Sequence, residues 1–121
     1  MTKVSFDFDD TLDRGDVQAI AKQLSQQYEL WIVTSRVPDE KAPSDNWNND
    51  LWFVCKQLNI PKDRVVFTSY ESKHEFFWDR EDFLFHLDDD PDELHMITAT
   101  CNVVAIDSFD PTWKEMIEEL V

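Results

Sequence analysis

Apolar residues fall along the chain in short, regularly punctuated groups. Val4 to Phe8 is a β-prone run. Val17, Ile20, Ala21, Leu24 and Tyr28 then follow helical spacing behind Asp16, a residue able to cap a helix. Leu30-Trp31-Ile32-Val33 is a continuous apolar tetrapeptide, the pattern of a strand covered on both faces in a parallel sheet, and it ends in Thr34-Ser35-Arg36. The polar stretch VPDEKAPSDNWNND, with two prolines, predicts a loop before a second helix whose stripe is Leu51, Val54, Cys55 and Leu58. Arg64 to Thr68 predicts a third strand, SKHEFFWDRED a short helix, and FLFHL at 83–87 a fourth strand closed by DDDPDE. A helix from about Asp92 to Ala99, a fifth strand at 102–107 and a last helix opened by Pro111 complete the series.

Strand and helix thus alternate five times. Such a pattern predicts the α/β class: a three-layer, Rossmann-like parallel sheet of about five strands with helices on both faces. Strand ends of one polarity share a rim in such a sheet, so Asp7, Asp9, Thr34, Ser35, Asp88 and Asp89 are expected to face a single crevice at the carboxyl ends of the strands.

Composition narrows the picture. With 121 residues, 42% of them hydrophobic, the chain is sized for one domain, residues 1–121, with its own core. Eleven Lys and Arg against 26 Asp and Glu leave a formal charge of −15, so the average surface repels nucleic acids and anionic membranes. A phosphate-bearing partner therefore needs a metal ion or a local basic spot. Cys55 and Cys101 stand far apart without a CxxC pair, which points to reduced thiols rather than a disulfide framework or structural zinc. The sequence opens with no basic-then-apolar leader, and no apolar run approaches the roughly 20 residues that span a bilayer, so a soluble, cytoplasmic protein is expected.

The stretch VSFDFDDTLD places four aspartates directly behind the first strand. Like charges this close repel, and a divalent cation among them relieves the repulsion. Two strand ends offering two carboxylates each suit Mg²⁺, which takes oxygen ligands and accepts phosphate oxygens and waters as the remainder. A carboxylate beside such a metal can attack phosphorus, and a second one two residues on can protonate the leaving oxygen and later activate water. A hydroxyl and an ammonium that hold the phosphoryl oxygens are roles that suit Thr34 and Lys73.

In four places, in order, the sequence resembles the haloacid dehalogenase superfamily of aspartate-nucleophile phosphatases. A hydrophobic strand ending DxDxT is matched by Asp7-Phe8-Asp9-Asp10-Thr11, and a strand ending in Thr or Ser by Thr34. A lysine opening a helix is matched by Lys73, and a strand followed by paired acids by Asp88 and Asp89. The resemblance implies Asp7 as nucleophile, Asp9 as general acid and base, Thr34 as hydrogen-bond donor and Lys73 as charge neutraliser. It implies Mg²⁺ on Asp7, the backbone carbonyl of Asp9, and Asp88, with Asp89 assisting directly or through water. It also implies that the first strand is central, flanked by the second and fourth. No insertion is large enough to form the family's cap domain, so an open crevice is expected.

Within the superfamily the chain is similar to the 3′-phosphatase domain of phage polynucleotide kinase, in Thr34-Ser35-Arg36, in Lys73 followed by HEFFW, and in HLDDDPDEL. That similarity implies that Arg36 meets substrate phosphate, and that the substrate is a nucleotide or a nucleic-acid phosphate end; Ser35 is either a substrate-binding hydroxyl of the site or a turn residue. A small metabolite or phosphoprotein as substrate, and a non-catalytic binding or assembly protein of the same fold, are the alternatives. Plainer roles are expected elsewhere: Asp10 and Asp13 in turns, Asp90, Asp92 and Glu93 as acids at a helix start, His86 as a packed residue. Trp47, an aromatic on the polar loop after the second strand, either anchors that loop or meets a substrate ring.

Overall fold

Strands β1 (Lys3–Phe6), β2 (Glu29–Thr34), β3 (Val65–Phe67), β4 (Phe83–Asp88) and β5 (Val104–Asp107) form one sheet in the computed structural model, which describes residues 1–121. Every pairing is parallel, and the order is β3-β2-β1-β4-β5. Helices α1 (Gly15–Leu24), α2 (Asn49–Leu58), α3 (His74–Phe77), α4 (Pro91–Thr100) and α5 (Trp113–Leu120) complete a three-layer, Rossmann-like α/β fold with no cap domain. The chain builds outward from β1 through β2 to β3, then returns across β1 to lay down β4 and β5. The point of reversal, between β1 and β4, opens a crevice at the carboxyl ends of the strands. No helix is long and apolar enough to cross a membrane.

The pleat sorts side chains between the two faces. Val4 and Phe6, Leu30 and Ile32, Phe85 and Leu87 pack against Val17 and Ala21 of α1, Leu51 and Cys55 of α2, and Trp113 and Ile117 of α5. On the opposite face a smaller cluster joins Val33 and Phe83 to Phe77 of α3 and Ile97 of α4. Burying each such Leu, Ile or Phe stabilises the fold by about 1.5–3 kcal/mol relative to leaving it exposed.

β4 carries an irregularity that matters for the site. Lys3 pairs with Phe83, but Ser5 pairs with His86, so β4 uses one more residue than β1 over this interval. Phe83 belongs to the smaller cluster, whereas both Leu84 and Phe85 pack with the larger one. Such a bulge resets the alternation. As a result His86 and Asp88 project to the same face as Ser5 and Asp7, the face covered by α3.

Several boundaries differ from those expected. β1 stops at Phe6 and not Phe8, because the chain turns inward: Leu12 N–H donates to the Asp7 carbonyl (3.1 Å) and Asp13 N–H to that of Phe8 (3.1 Å). This wide turn takes Asp10 left-handed (φ 58°) and buries Phe8 and Leu12. Asp16 lies in the first turn of α1, where it pairs with Arg14 at the capping position, and does not cap the helix itself. Tyr28 falls beyond the end of α1. The last helix begins at Trp113, since Asp110 holds Pro111-Thr112 in a turn by accepting from the Thr112 N–H and hydroxyl.

Candidate active site

Asp7 follows directly on β1, its N–H donating to the Leu87 carbonyl of β4 (2.8 Å), so the central strand delivers it to the crevice beside Asp88 at the end of β4. Lys73 precedes α3 and reaches between them. Its ammonium donates to Asp7 Oδ1 at 2.9 Å and to Asp88 Oδ2 at 2.6 Å. All three side chains are almost wholly buried. Oxygens of Asp7, Asp88 and Asp89 lie within 4.8 Å of one another.

Burial above all pushes the Asp7 carboxyl up to about 9, reinforced by the Asp88 charge and a hydrogen bond to Asp89, and opposed by Lys73. Burial acts the same way on Asp88, but a hydrogen bond from His86 and the nearby ammonium of Lys73 outweigh it, and Asp88 falls below the usual carboxylate range. Asp89 is raised, chiefly by burial. Lys73 is raised as well: burial works against its charge, and the two carboxylates more than offset this.

A chain of buried contacts supports Asp88 from below. His86 Nε2 lies 2.8 Å from Asp88 Oδ2, and His86 Nδ1 lies 2.8 Å from the Ser5 hydroxyl. Burial lowers the affinity of His86 for a second proton, so the neutral ring donates to Asp88 and accepts from Ser5. Asp88 Oδ1 also accepts from the Asp90 N–H (3.1 Å), and the Lys73 N–H donates to Glu93 Oε2 (2.7 Å).

Asp9 has a different setting. Its carboxylate is half exposed and accepts two hydrogen bonds from Arg36, from Nε at 3.0 Å and Nη2 at 2.7 Å. Arg36 in turn spans to both oxygens of Asp50 (2.8 and 2.9 Å) and lies over the Phe8 ring, 4.9 Å from its centroid. Hydrogen bonding to Asp50 foremost, and then to Asp9, raises Arg36 further above its already high value against the effect of burial. The guanidinium is thus occupied by two carboxylates.

The crevice has a volume of about 310 Å³ and is lined by Asp7, Asp9, Ser35, Tyr70, Glu71, Lys73, Asp88, Asp89, Asp90 and Glu93. Of the residues singled out in the sequence, Asp7, Asp9, Ser35, Lys73, Asp88 and Asp89 therefore come together. Thr34 does not line the crevice. It is fully buried beneath it, and its hydroxyl accepts from the Arg36 N–H (3.3 Å), closing the turn that presents Ser35. Arg36 stands at the rim.

Asp90 caps α4, accepting from the Asp92 N–H at 2.9 Å. His86, Ser5, Asp50 and Glu93 were not legible as site residues. Ser5, Asp50 and Glu93 act across the fold through contacts that no local spacing encodes, and His86 reaches Asp88 from two positions earlier on the same strand. Tyr70 could have been found only as an aromatic on a loop following a strand, the same cue that marked Trp47.

The donor set fits a hard divalent cation: three carboxylates from two adjacent strand ends, supplying only oxygen, beside an open crevice that admits waters. Compared with protein-family models and with curated protein sequences, the chain matches none.

Proposed function

We propose that the protein is a Mg²⁺-dependent phosphomonoesterase that works through an aspartyl phosphate, in the manner of the haloacid dehalogenase superfamily. The observation that carries this reading is the meeting of Asp7, Lys73, Asp88 and Asp89 at the point where the strand order reverses. Asp7, Asp88 and Asp89 would hold Mg²⁺, which when bound supplies positive charge to the phosphoryl oxygens and keeps Asp7 ionised.

In the first step an Asp7 oxygen attacks phosphorus, the ester P–O bond breaks, and Asp9 gives its proton to the departing oxygen. In the second, water attacks the aspartyl phosphate while Asp9 takes up its proton, releasing inorganic phosphate and restoring Asp7. Lys73, held by two carboxylates and aimed into the crevice, balances the charge that gathers on the phosphoryl group. Ser35 at the crevice wall offers a hydroxyl, on a turn that Thr34 secures. Asp9 is tied by both oxygens to Arg36, so its proton transfers require Arg36 to release one of them.

The substrate in this reading is a nucleotide or a nucleic-acid phosphate end, met in a reducing, cytoplasmic compartment by a protein whose two cysteines are both free. The test is p-nitrophenyl phosphate hydrolysis with and without Mg²⁺, on the wild type and on Asp7→Asn. Metal-dependent turnover that disappears in Asp7→Asn is the expected result, and metal-independent turnover or an active Asp7→Asn protein overturns the reading. A second reading, a binding protein that has kept the fold, rests on the Arg36–Asp9 pair. It requires Asp9→Asn to leave biological function intact.

A further inference from the structure

Beside the crevice that holds Asp7 lies a second hollow, of about 290 Å³, lined by Asp9, Ser35, Arg36, Trp47 and Tyr70. The two spaces share Asp9, Ser35 and Tyr70, so a molecule with its phosphate near Asp7 has its next group in this hollow. Two features set the hollow apart from ordinary surface.

The first is its aromatic pair. Trp47 is 40% exposed and Tyr70 71% exposed, and neither ring packs on another aromatic ring or beneath a cation. The indole N–H groups of Trp31 and Trp52 donate to Glu29 and Asp39, but that of Trp47 has no partner within the protein. Tyr70 is held out by unusual backbone: Ser69 and Tyr70 are both left-handed (φ 54° and 67°), a conformation that costs free energy in a bulky residue. Hydrogen bonds fasten that strained pair to the site, from the Tyr70 N–H to the Ser35 carbonyl (2.8 Å) and from the Ser69 N–H to that of Arg36 (3.2 Å). Trp47 is tied to the same segment, its carbonyl accepting from Arg36 Nη1 (3.4 Å).

The second feature is charge. Arg36 is the only cation lining the hollow, and Asp9 and Asp50 already neutralise it. Five Asp and two Glu side chains against one Lys line the neighbouring crevice. A second phosphate finds no free cation here, whereas a neutral planar ring finds two aromatic side chains.

We infer that Trp47 and Tyr70 form a stacking subsite for the base of a single nucleoside, so that the substrate is a nucleoside monophosphate and not a longer polynucleotide. The inference rests on the phosphatase reading for the phosphate's position, but the subsite itself does not require turnover. Base–aromatic stacking tolerates any base, so little preference among the four bases is expected.

The experiment has two arms. The first compares kcat/KM for adenosine 5′-monophosphate and 3′-monophosphate with that for ribose 5-phosphate, which lacks the base, and with a 3′-phosphorylated oligonucleotide. The wild type is expected to favour a nucleotide over ribose 5-phosphate. That ratio should fall about tenfold in Trp47→Ala and in Tyr70→Ala, the size of one aromatic–base stack. Trp78→Ala, which removes a comparably exposed ring outside both hollows, should leave the ratio unchanged. A ratio near one in the wild type, or one unmoved by both subsite variants, overturns the inference while leaving the phosphatase reading standing. Preference for the oligonucleotide over the monophosphate overturns the single-nucleoside assignment.

The second arm titrates adenosine, which carries no phosphate, into ¹⁵N-labelled protein and follows the Trp47 indole N–H, assigned by its loss in Trp47→Phe. A shift at millimolar adenosine that disappears in Tyr70→Ala upholds the subsite even if no ester is hydrolysed. No shift overturns it.

Discussion

Arg36 grips both carboxylate oxygens of Asp9, through Nε at 3.0 Å and Nη2 at 2.7 Å, while Nη1 and Nη2 also donate to the two oxygens of Asp50. The clamp fixes the position of the Asp9 carboxylate at the edge of the crevice, and loosening it gives up that positioning. Arg36→Lys keeps the charge and cannot span two oxygens. Under the proposed mechanism kcat on an alkyl phosphate should fall about 10- to 100-fold, part of what general acid–base catalysis contributes. The loss on p-nitrophenyl phosphate should be smaller, because its leaving group needs little protonation. Equal losses on both esters would show that Arg36 does not act through Asp9.

Lys73 supplies the one cation between two buried carboxylates, so Lys73→Met leaves the Asp88 carboxylate only its hydrogen bonds from His86 and the Asp90 N–H. Breaking a buried pair from one side destabilises by about 3–5 kcal/mol. Urea unfolding in EDTA should show a loss of that order, partly recovered in millimolar Mg²⁺. In the wild type Mg²⁺ should raise the Tm, an effect removed by the double change Asp88→Asn, Asp89→Asn. A Lys73→Met protein as stable in EDTA as the wild type would contradict the buried pairing.

Cys55 makes the pH dependence of stability testable away from the site. The residue is 3% exposed, and burial pushes its thiol from 9.0 up to about 11. The folded state therefore holds this proton more tightly than the unfolded chain. Its contribution is fully present below about pH 9 and is lost as pH rises towards 11, by up to about 2–3 kcal/mol. Cys55→Ala lowers stability at every pH through its cavity but should show less of this alkaline decline in urea midpoints taken on either side of pH 9. Parallel declines in both proteins would refute the assignment.

Asp90 sits at the crevice wall, yet its carboxylate is directed at the first turn of α4. Asp90→Ala should destabilise by about 1 kcal/mol, the loss of an N-cap. The stabilisation gained on adding Mg²⁺ should persist at its wild-type size. Loss of the Mg²⁺ increment would make Asp90 a ligand instead.

Strand positions and the acids that end β1 and β4 could be read in advance because each rests on the local hydrophobic pattern and on one rule of parallel sheets. The place of β1 between β2 and β4, and Lys73 as the lysine that opens a helix before FLFHL, came from the family resemblance. The β4 bulge left no mark, since Leu84 and Phe85 are apolar whichever face they take. The His86 to Ser5 contact depends on that bulge and was invisible with it. Asp50 lies in the stretch read as a polar loop and Glu93 reads as an ordinary acid at a helix start, and only the fold brings them to Arg36 and to the Lys73 backbone. Ser69 and Tyr70 adopt left-handed backbone without glycine or asparagine to announce it. Arg36 was expected to meet substrate phosphate, and its neutralisation by two carboxylates was not legible.

The turn that aims Asp7 is latched to the far end of the chain. Thr11 Oγ1 donates to the Ser108 hydroxyl (3.2 Å), the Ser108 hydroxyl donates to the Asp10 carbonyl (3.3 Å), and Arg14 Nη1 donates to the Ser108 carbonyl (2.8 Å). During synthesis Asp7 is made well before Ser108, the residue that secures its turn. A nascent chain therefore carries its key carboxylate long before it can hold it in place. Any truncation that removes β5 and the segment after it unmoors the turn that follows β1.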